Sequence, residues 1–312
     1  MKFWVGVTDN TWFNYLATKG FDEVNFWQPS ATPPFKGAPI GMPFLFKLKR
    51  PNNHIAGCGF FVTYSILPVS LAWEIFGEKN GAVSIDDLHA MLGPLSRGQG
   101  LAGEIGCTVL TNPFFFSCEQ WIADPSGWAG NIVRGKMYES NSSDGASIWT
   151  ALEHILSTEC YASFDGESPP IAAGNRVMEK YGNPVLVKPR LGQSSFRVLV
   201  TDAYKRRCAI TGENTLVALE AAHIVPYSKD GSHEIQNGLL LRADFHRLFD
   251  VGLVSVTQDL RIKISPRIRE AWFNGKVYYR LNNQPLSVLP DLPAHQPDPD
   301  RLGWHFKNRF QA

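Results

Sequence analysis

Apolar and polar positions along this chain of 312 residues follow two different periods, and the switches between them outline its elements. In the first 138 residues short runs of period two dominate. Residues 3–7, 23–27 and 44–48 read as strands, the last merging into Lys47 and Lys49. A Pro-Asn-Asn turn at 51–53 and a return strand over 54–64 give a hairpin. Residues 106–110 and 114–116 read as two further strands. Helical spacing predicts short helices over 12–18, 70–76 and 86–92. No internal repeat is visible.

The pattern then loosens. ESNSSDGAS is a polar loop, 148–156 is amphipathic at helical spacing, and SFDGESPP is a Pro/Gly break. This gives three segments: a domain over 1–138, a linker with a short helix over 139–175, and a second domain over 176–312. In the second domain 175–180 and 195–204 read as helices, with Phe196, Leu199, Val200 and Ala203 on one face of the latter. A strand over 216–222 follows, then the turn dipeptide Asn237-Gly238. From Ala243 the spacing is helical, with Phe245, Leu248 and Phe249 apolar and Gly252 as the stop. VSVTQDLRIKIS is a hairpin signal, and Pro266 opens a short helix ending at Trp272. Five prolines in the last stretch, Pro285, Pro290, Pro293, Pro297 and Pro299, predict an extended strap. His295 and His305 stand alone and receive no role.

Composition narrows the class. Apolar residues at 44% and nine tryptophans point to packed globular structure. No apolar run reaches the length of a membrane span, and Asp9 interrupts the start where a signal peptide needs an apolar core, so a cytoplasmic protein is expected. Five scattered cysteines argue against a disulfide framework and a structural zinc; Cys208 reads as a small buried residue. The net charge of +1 hides an asymmetry. Residues 1–175 carry 10 Lys and Arg against 16 Asp and Glu, a balance of −6, while 176–312 carry 20 against 13, a balance of +7. The second half therefore suits a phosphate-rich partner and the first does not.

The chemistry concentrates in EAAHIVPYSKDGSHEIQNGLLLRADFHRLFD, residues 220–250. His223 and Asn237 are 14 apart, Asn237 and His246 are 9 apart, and Asp250 follows His246 by four, one helical turn. A divalent ion on His246 and Asp250 would act as a Lewis acid on a phosphodiester. His223, free of the metal, would take a proton from water near neutral pH. Asn237 would fix either the loop or the ring of His223. Arg190, Gln193 and Arg197 near the start of the 195–204 helix, and Lys205, Arg206 and Arg207 at its end, are candidate phosphate contacts.

This stretch, with KPRLGQSSFRVLVTDAY, RRCAITGE, AAHIVP, NGLLLR and DFHRLFDVG around it, resembles the HNH nuclease motif of the ββα-metal superfamily, in its restriction-type form. The resemblance implies His223 as general base, Asn237 as the middle residue and His246 as a metal ligand. It puts Asp250 where colicin-type members place another ligand; Mg²⁺ or Mn²⁺ is the expected cofactor, and the imidazole–carboxylate pair predicts a permissive choice. Many members carry a ligand directly before the base, where this chain has Ala222. Glu220, Asp244 or water would complete the shell.

The first half resembles the PUA-like superfamily (EVE, ASCH, YTH and SRA-type domains) through FWVGVTDNTWF, VNFWQPS and a lysine-bearing hairpin with IAGCGFF. That likeness implies an α+β chain: a curved β barrel with flanking helices, then a ββα nuclease. Several members of the group hold a modified base in an aromatic cage. Trp27, Phe35, Trp73 and Trp121 are the cage candidates here, with Asn25, Gln28 and Ser30 for polar contacts and Lys47, Lys49 and Arg50 for a phosphate. Trp4, Phe26, Phe44, Phe46, Phe60, Phe61 and the run 114–116 read as packing. The joint resemblance implies an endonuclease directed by a modified cytosine in double-stranded DNA, acting in defence against phage. A single such site cuts one strand, so a homodimer is expected. The competing readings are an HNH enzyme acting on RNA and a non-catalytic nucleic-acid binder.

Overall fold

In the computed structural model the period-two runs of the first half become strands of one mixed sheet. The structure describes residues 1–35, 37–94, 103–125, 127–162, 191–229, 231–273 and 275–312. The chain divides into two compact units, Met1–Arg190 and Leu191–Ala312.

The first unit begins with β1 (Lys2–Thr8), α1 (Asn10–Leu16), β2 (Glu23–Gln28), β3 (Pro43–Leu48) and β4 (His54–Pro68). It continues through α2 (Val69–Phe76), α3 (Ile85–Leu92), β5 (Glu104–Phe115), β6 (Ile122–Ala123), β7 (Gly135–Glu139) and α4 (Ser143–Ala162). The strand order is β2-β5-β4-β3-β1-β7, with β6 on the edge of β4. β1 and β3 are parallel; the other pairs are antiparallel. Among the described residues the ladder ends at β2 and β7.

Side chains alternate between two buried faces. Trp4, Phe44 and Phe46 join Trp12, Phe13 and Leu16 of α1 on one face. Phe3, Val5 and Leu45 join Tyr138, Ile148, Leu152 and Ile155 on the other. Burial on both faces explains why all of β3 is inaccessible, Lys47 included. Two expectations change here. The helix expected over 148–156 is longer, as α4, and its Ile148, Leu152 and Ile155 pack into the second core. The two strands expected over 106–116 are one, β5: Asn112 takes a left-handed φ of 47°, and the ladder with β4 continues past it to Phe115. The expected boundary at 175/176, the break SFDGESPP and the helix expected over 175–180 lie outside the described residues.

The second unit holds α5 (Gln193–Ala203), β8 (Leu219–His223), β9 (Gly238–Arg242), α6 (Ala243–Asp250), β10 (Val254–Val256) and β11 (Ile262–Ile264). The short helices α7 (Arg267–Trp272) and α8 (Lys276–Tyr279) and the longer α9 (Pro299–Asn308) complete it. β8 and β9 form an antiparallel pair in which His223 faces Gly238. α5 packs close against this pair: a Cβ on Gly238 would lie 2.4 Å from Val200. Phe196, Val200, Tyr204, Leu239, Leu240, Leu241, Phe245 and Phe249 form the core beneath. β10 and β11 are the expected hairpin.

The expected extended strap instead ends in a helix. Asp298 caps α9 by accepting hydrogen bonds from the backbone N–H groups of Asp300 and Arg301, and Pro299 occupies the first turn, where it lacks no needed donor. His305 on α9 is buried, stacked on Phe249 at 3.7 Å, and its nitrogens meet Ser255 Oγ at 2.9 Å and the Phe249 carbonyl at 3.1 Å. It therefore ties α9 to α6.

Burial pushes the His305 imidazole down to about 4; the Phe249 carbonyl bond opposes this, and the Arg309 charge adds to it. The folded value lies below the unfolded one, so the neutral ring contributes stability that is whole above pH ~6.5. That contribution fades as pH falls from there toward the folded value and is worth on the order of 3 kcal/mol. The melting temperature should accordingly drop between neutral and mildly acid pH, and His305→Gln should flatten that drop. An unchanged slope in the variant would show that other groups cause it.

Candidate active site

β8, β9 and α6 bring the motif residues to one place. His223 ends β8, His246 and Asp250 lie one turn apart on α6, and all three line a cleft of about 400 Å³. Gln193, Phe196 and Arg197 of α5, Pro226 and Tyr227, and Arg309 complete its walls.

His223 is held by two rings. It stacks on Phe196 with centroids 3.9 Å apart, and its Nε2 lies 3.0 Å from Nδ1 of His233. His233 in turn stacks on Tyr227 at 4.7 Å. Burial first, and the charges of His233 and His246 second, lower the His223 pKa to about 4, so the ring is neutral at physiological pH. When the proton between the two rings sits on Nε2 of His223, the lone pair of its Nδ1 has no protein partner among the described residues.

Asn237 is fully buried and works on the loop, not on the histidine ring. Its Oδ1 accepts from the Val225 N–H, and its Nδ2 donates to the carbonyls of Val225 and Ser232, all at 2.9 Å. It thereby shapes the chain between β8 and β9. His246 is oriented from below: Nδ1 meets Glu220 Oε2 at 2.5 Å, while Nε2 lies 3.3 Å from Asp250 Oδ2. Ala222, directly before His223, is buried and offers no side-chain donor. Asp244 is engaged elsewhere, receiving two hydrogen bonds from Arg242 at 2.7 and 2.8 Å; burial opposes its ionisation, but Arg242 outweighs that and holds the carboxyl below its usual range.

The basic residues around α5 separate. Gln193 and Arg197 line the cleft. Lys205, Arg206 and Arg207 follow the other end of the helix, roughly 12 Å further along its axis. There Lys205 pairs with Asp291 at 2.6 Å, Arg206 with Asp202 at 3.5 Å, and Arg207 donates to the Gly212 carbonyl. Arg190 lies outside the described residues. His233, Tyr227 and Arg309 were not singled out by the sequence.

The base-pocket candidates of the first unit have the following partners among the described residues. Asn25 is buried and donates to Asn80 Oδ1, and Trp27, on the same strand face, donates to the Asn80 carbonyl. Gln28, on the opposite face, donates to the carbonyls of Ser30 and Thr32 and approaches Tyr64. Phe35 packs into the core against Trp4 and Phe61. Trp121 meets Phe13 edge-on and lies near His54, and Trp73 is half-buried on α2. Lys47 is not available to a phosphate: it is buried 3.1 Å from Asp124, with Trp128 nearby. Lys49 is paired with Asp9 at 2.9 Å.

No helix among the described residues is long and apolar enough to cross a membrane. No curated protein matches the chain. Among solved structures, the modification-dependent TagI restriction endonuclease is similar at 14% identity and a TM-score of 0.28, over 96% of this chain and 79% of its own. ASCH from Zymomonas mobilis is similar at 8% identity and a TM-score of 0.31, over 47% of this chain and 94% of its own. Neither superposition is close enough to bear on function. Residues 208–257 of the second unit, which include His223, Asn237 and His246, match the HNH endonuclease family model.

Proposed function

We propose that the chain is a divalent-metal-dependent endonuclease that hydrolyses DNA near a modified cytosine, 5-methyl or 5-hydroxymethyl, and serves in defence against foreign DNA. The observation that carries the nuclease reading is the shared cleft, in which a neutral His223 with an unoccupied Nδ1 faces the same space as His246 and Asp250.

The residues fit a metal of this class. Glu220 holds the Nδ1 side of His246, which leaves Nε2 for a ligand role beside the Asp250 carboxylate. Among the described residues no third His, Cys, Asp or Glu joins them in a cluster able to hold an ion. Two protein ligands suit Mg²⁺ or Mn²⁺, which keep water and phosphate oxygens in the rest of the shell. When bound, such an ion supplies Lewis-acid charge to the phosphate and the leaving oxygen. His223 Nδ1 takes the proton of a water whose oxygen attacks phosphorus; the P–O3′ bond breaks, and the 3′ oxygen is protonated from solvent. The products are a 5′ phosphate and a 3′ hydroxyl. Each cleft meets one strand, so a double-strand break takes two copies, paired as a homodimer or on neighbouring sites.

For the first unit the reading rests on its PUA-like sequence resemblance and its acidic balance, which does not favour broad phosphate binding. Flipping a base costs a few kcal/mol, and stacking on an aromatic ring returns ~1–3 kcal/mol. Burying one methyl adds about 0.8 kcal/mol, roughly a fourfold preference. A graded preference is therefore expected. Full-length His223→Ala protein, titrated with duplexes differing in one modified base and with structured RNA, tests this. The modified duplex should bind tightest, and Trp27→Ala or Trp73→Ala should weaken it more than the plain duplex. Equal affinities would end the modified-base reading, and a preference for RNA would replace DNA as substrate.

A further inference from the structure

We infer that Arg309, outside the HNH segment, binds a backbone phosphate of the nucleic acid lying in the active cleft; the inference rests on the nuclease reading above. Arg309 closes α9 and is exposed, yet it lines the same cleft as His223, His246 and Asp250. Its surroundings separate it from several basic side chains of this unit. Arg242 is neutralised by Asp244, Arg301 by Glu234 and Asp298, Lys205 by Asp291 and Arg206 by Asp202. Among the described residues no hydrogen bond or ion pair occupies the Arg309 guanidinium, although Asp250 shares its cleft and pairs instead with His246.

The backbone that carries Arg309 is fastened to the end of α6, the helix that bears His246 and Asp250. The Gln311 N–H donates to the Gly252 carbonyl at 2.8 Å, and Gln311 Nε2 donates to the Val251 carbonyl at 2.6 Å. Gly252 itself has a φ of 75°, and a Cβ there would lie 1.9 Å from the Arg309 carbonyl oxygen. Only glycine permits that approach. With His305 locked between Phe249 and Ser255, the end of α9 is held in place from both sides. A cation favoured at a helix C-terminus would account for an arginine here, but not for its place in the cleft or for this anchoring.

A guanidinium presents a planar fork of donors that matches two phosphate oxygens, and its charge survives at any working pH. One phosphate neutralised contributes about 0.9 to the slope of log affinity against log salt. The test uses the full chain carrying His223→Ala, so that duplex DNA is bound and not consumed. Adding Arg309→Ala should lower affinity and make the salt slope shallower by about 0.9. Arg309→Lys should keep the slope, since the charge remains. In the cleaving protein both changes should lower kcat/KM, Arg309→Ala by tenfold or more and Arg309→Lys by less, since a lysine loses the fork. A salt slope unchanged by Arg309→Ala, whatever the affinity, would overturn the assignment, and so would full cleavage by that variant. A parent that shows the slope change but cuts no nucleic acid under any metal would overturn the nuclease reading and leave the phosphate contact standing.

Discussion

His223→Ala should lose cleavage by several orders of magnitude while keeping its fold and its hold on DNA. The water must give up a proton, and in the cleft the imidazole that is neutral, oriented and open at one nitrogen is that of His223. A positioned general base contributes about 10²–10⁴ in rate, and the pre-aligned ring adds to what is lost with it. The fold should survive because the ring is only partly buried and Phe196, on which it stacks, belongs to a core cluster that does not include His223. Cleavage rate, melting temperature and duplex affinity, measured on one preparation, separate the two roles. Loss of activity together with a collapsed melting transition would make His223 structural.

Chelation should abolish cleavage, and Mg²⁺ or Mn²⁺ should restore it. His246→Ala should reduce the restored rate by more than the roughly 10–100-fold lost when a residue that only orients a ligand is removed. Asp250→Ala should act in the same direction and raise the metal concentration needed for half-maximal rate. An imidazole beside a carboxylate accepts several first-row ions, so activation across metals should be broad. If Asp250→Ala leaves both rate and metal demand unchanged, the pair on α6 is not the site, and Glu220, now engaged with His246 Nδ1, becomes the candidate ligand.

The HNH residues were legible because they lie within one short stretch whose local rules suffice. A strand end, a turn and a helix face put His223, His246 and Asp250 together with no help from distant chain. His233, only ten residues from His223, was missed because a loop has no period to say which way a side chain points. Arg309 enters the cleft through α9, and no spacing relates it to the motif. The signal for α9 itself was present in Asp298-Pro299, a cap followed by a first-turn proline, but the density of prolines before it suggested extended chain. In the first unit the strands were legible from alternation, but the fate of single residues was not. Both faces of the sheet are buried, so Lys47 goes inside with Asp124, and Phe35 joins the core. Which aromatic rings remain free for a ligand depends on that burial, which alternation alone does not determine.

The most direct test is cleavage of supercoiled plasmid by the purified full-length protein with Mg²⁺ or Mn²⁺, on DNA prepared with and without 5-methyl- or 5-hydroxymethylcytosine, alongside structured RNA. The account predicts nicked circles first and linear DNA later, on modified plasmid well before unmodified, with none from His223→Ala or with chelator. Equal cutting of modified and plain plasmid would contradict the directing role of the first unit. Cutting of RNA alone would contradict the DNA assignment, and undiminished cutting by His223→Ala would contradict the active site itself.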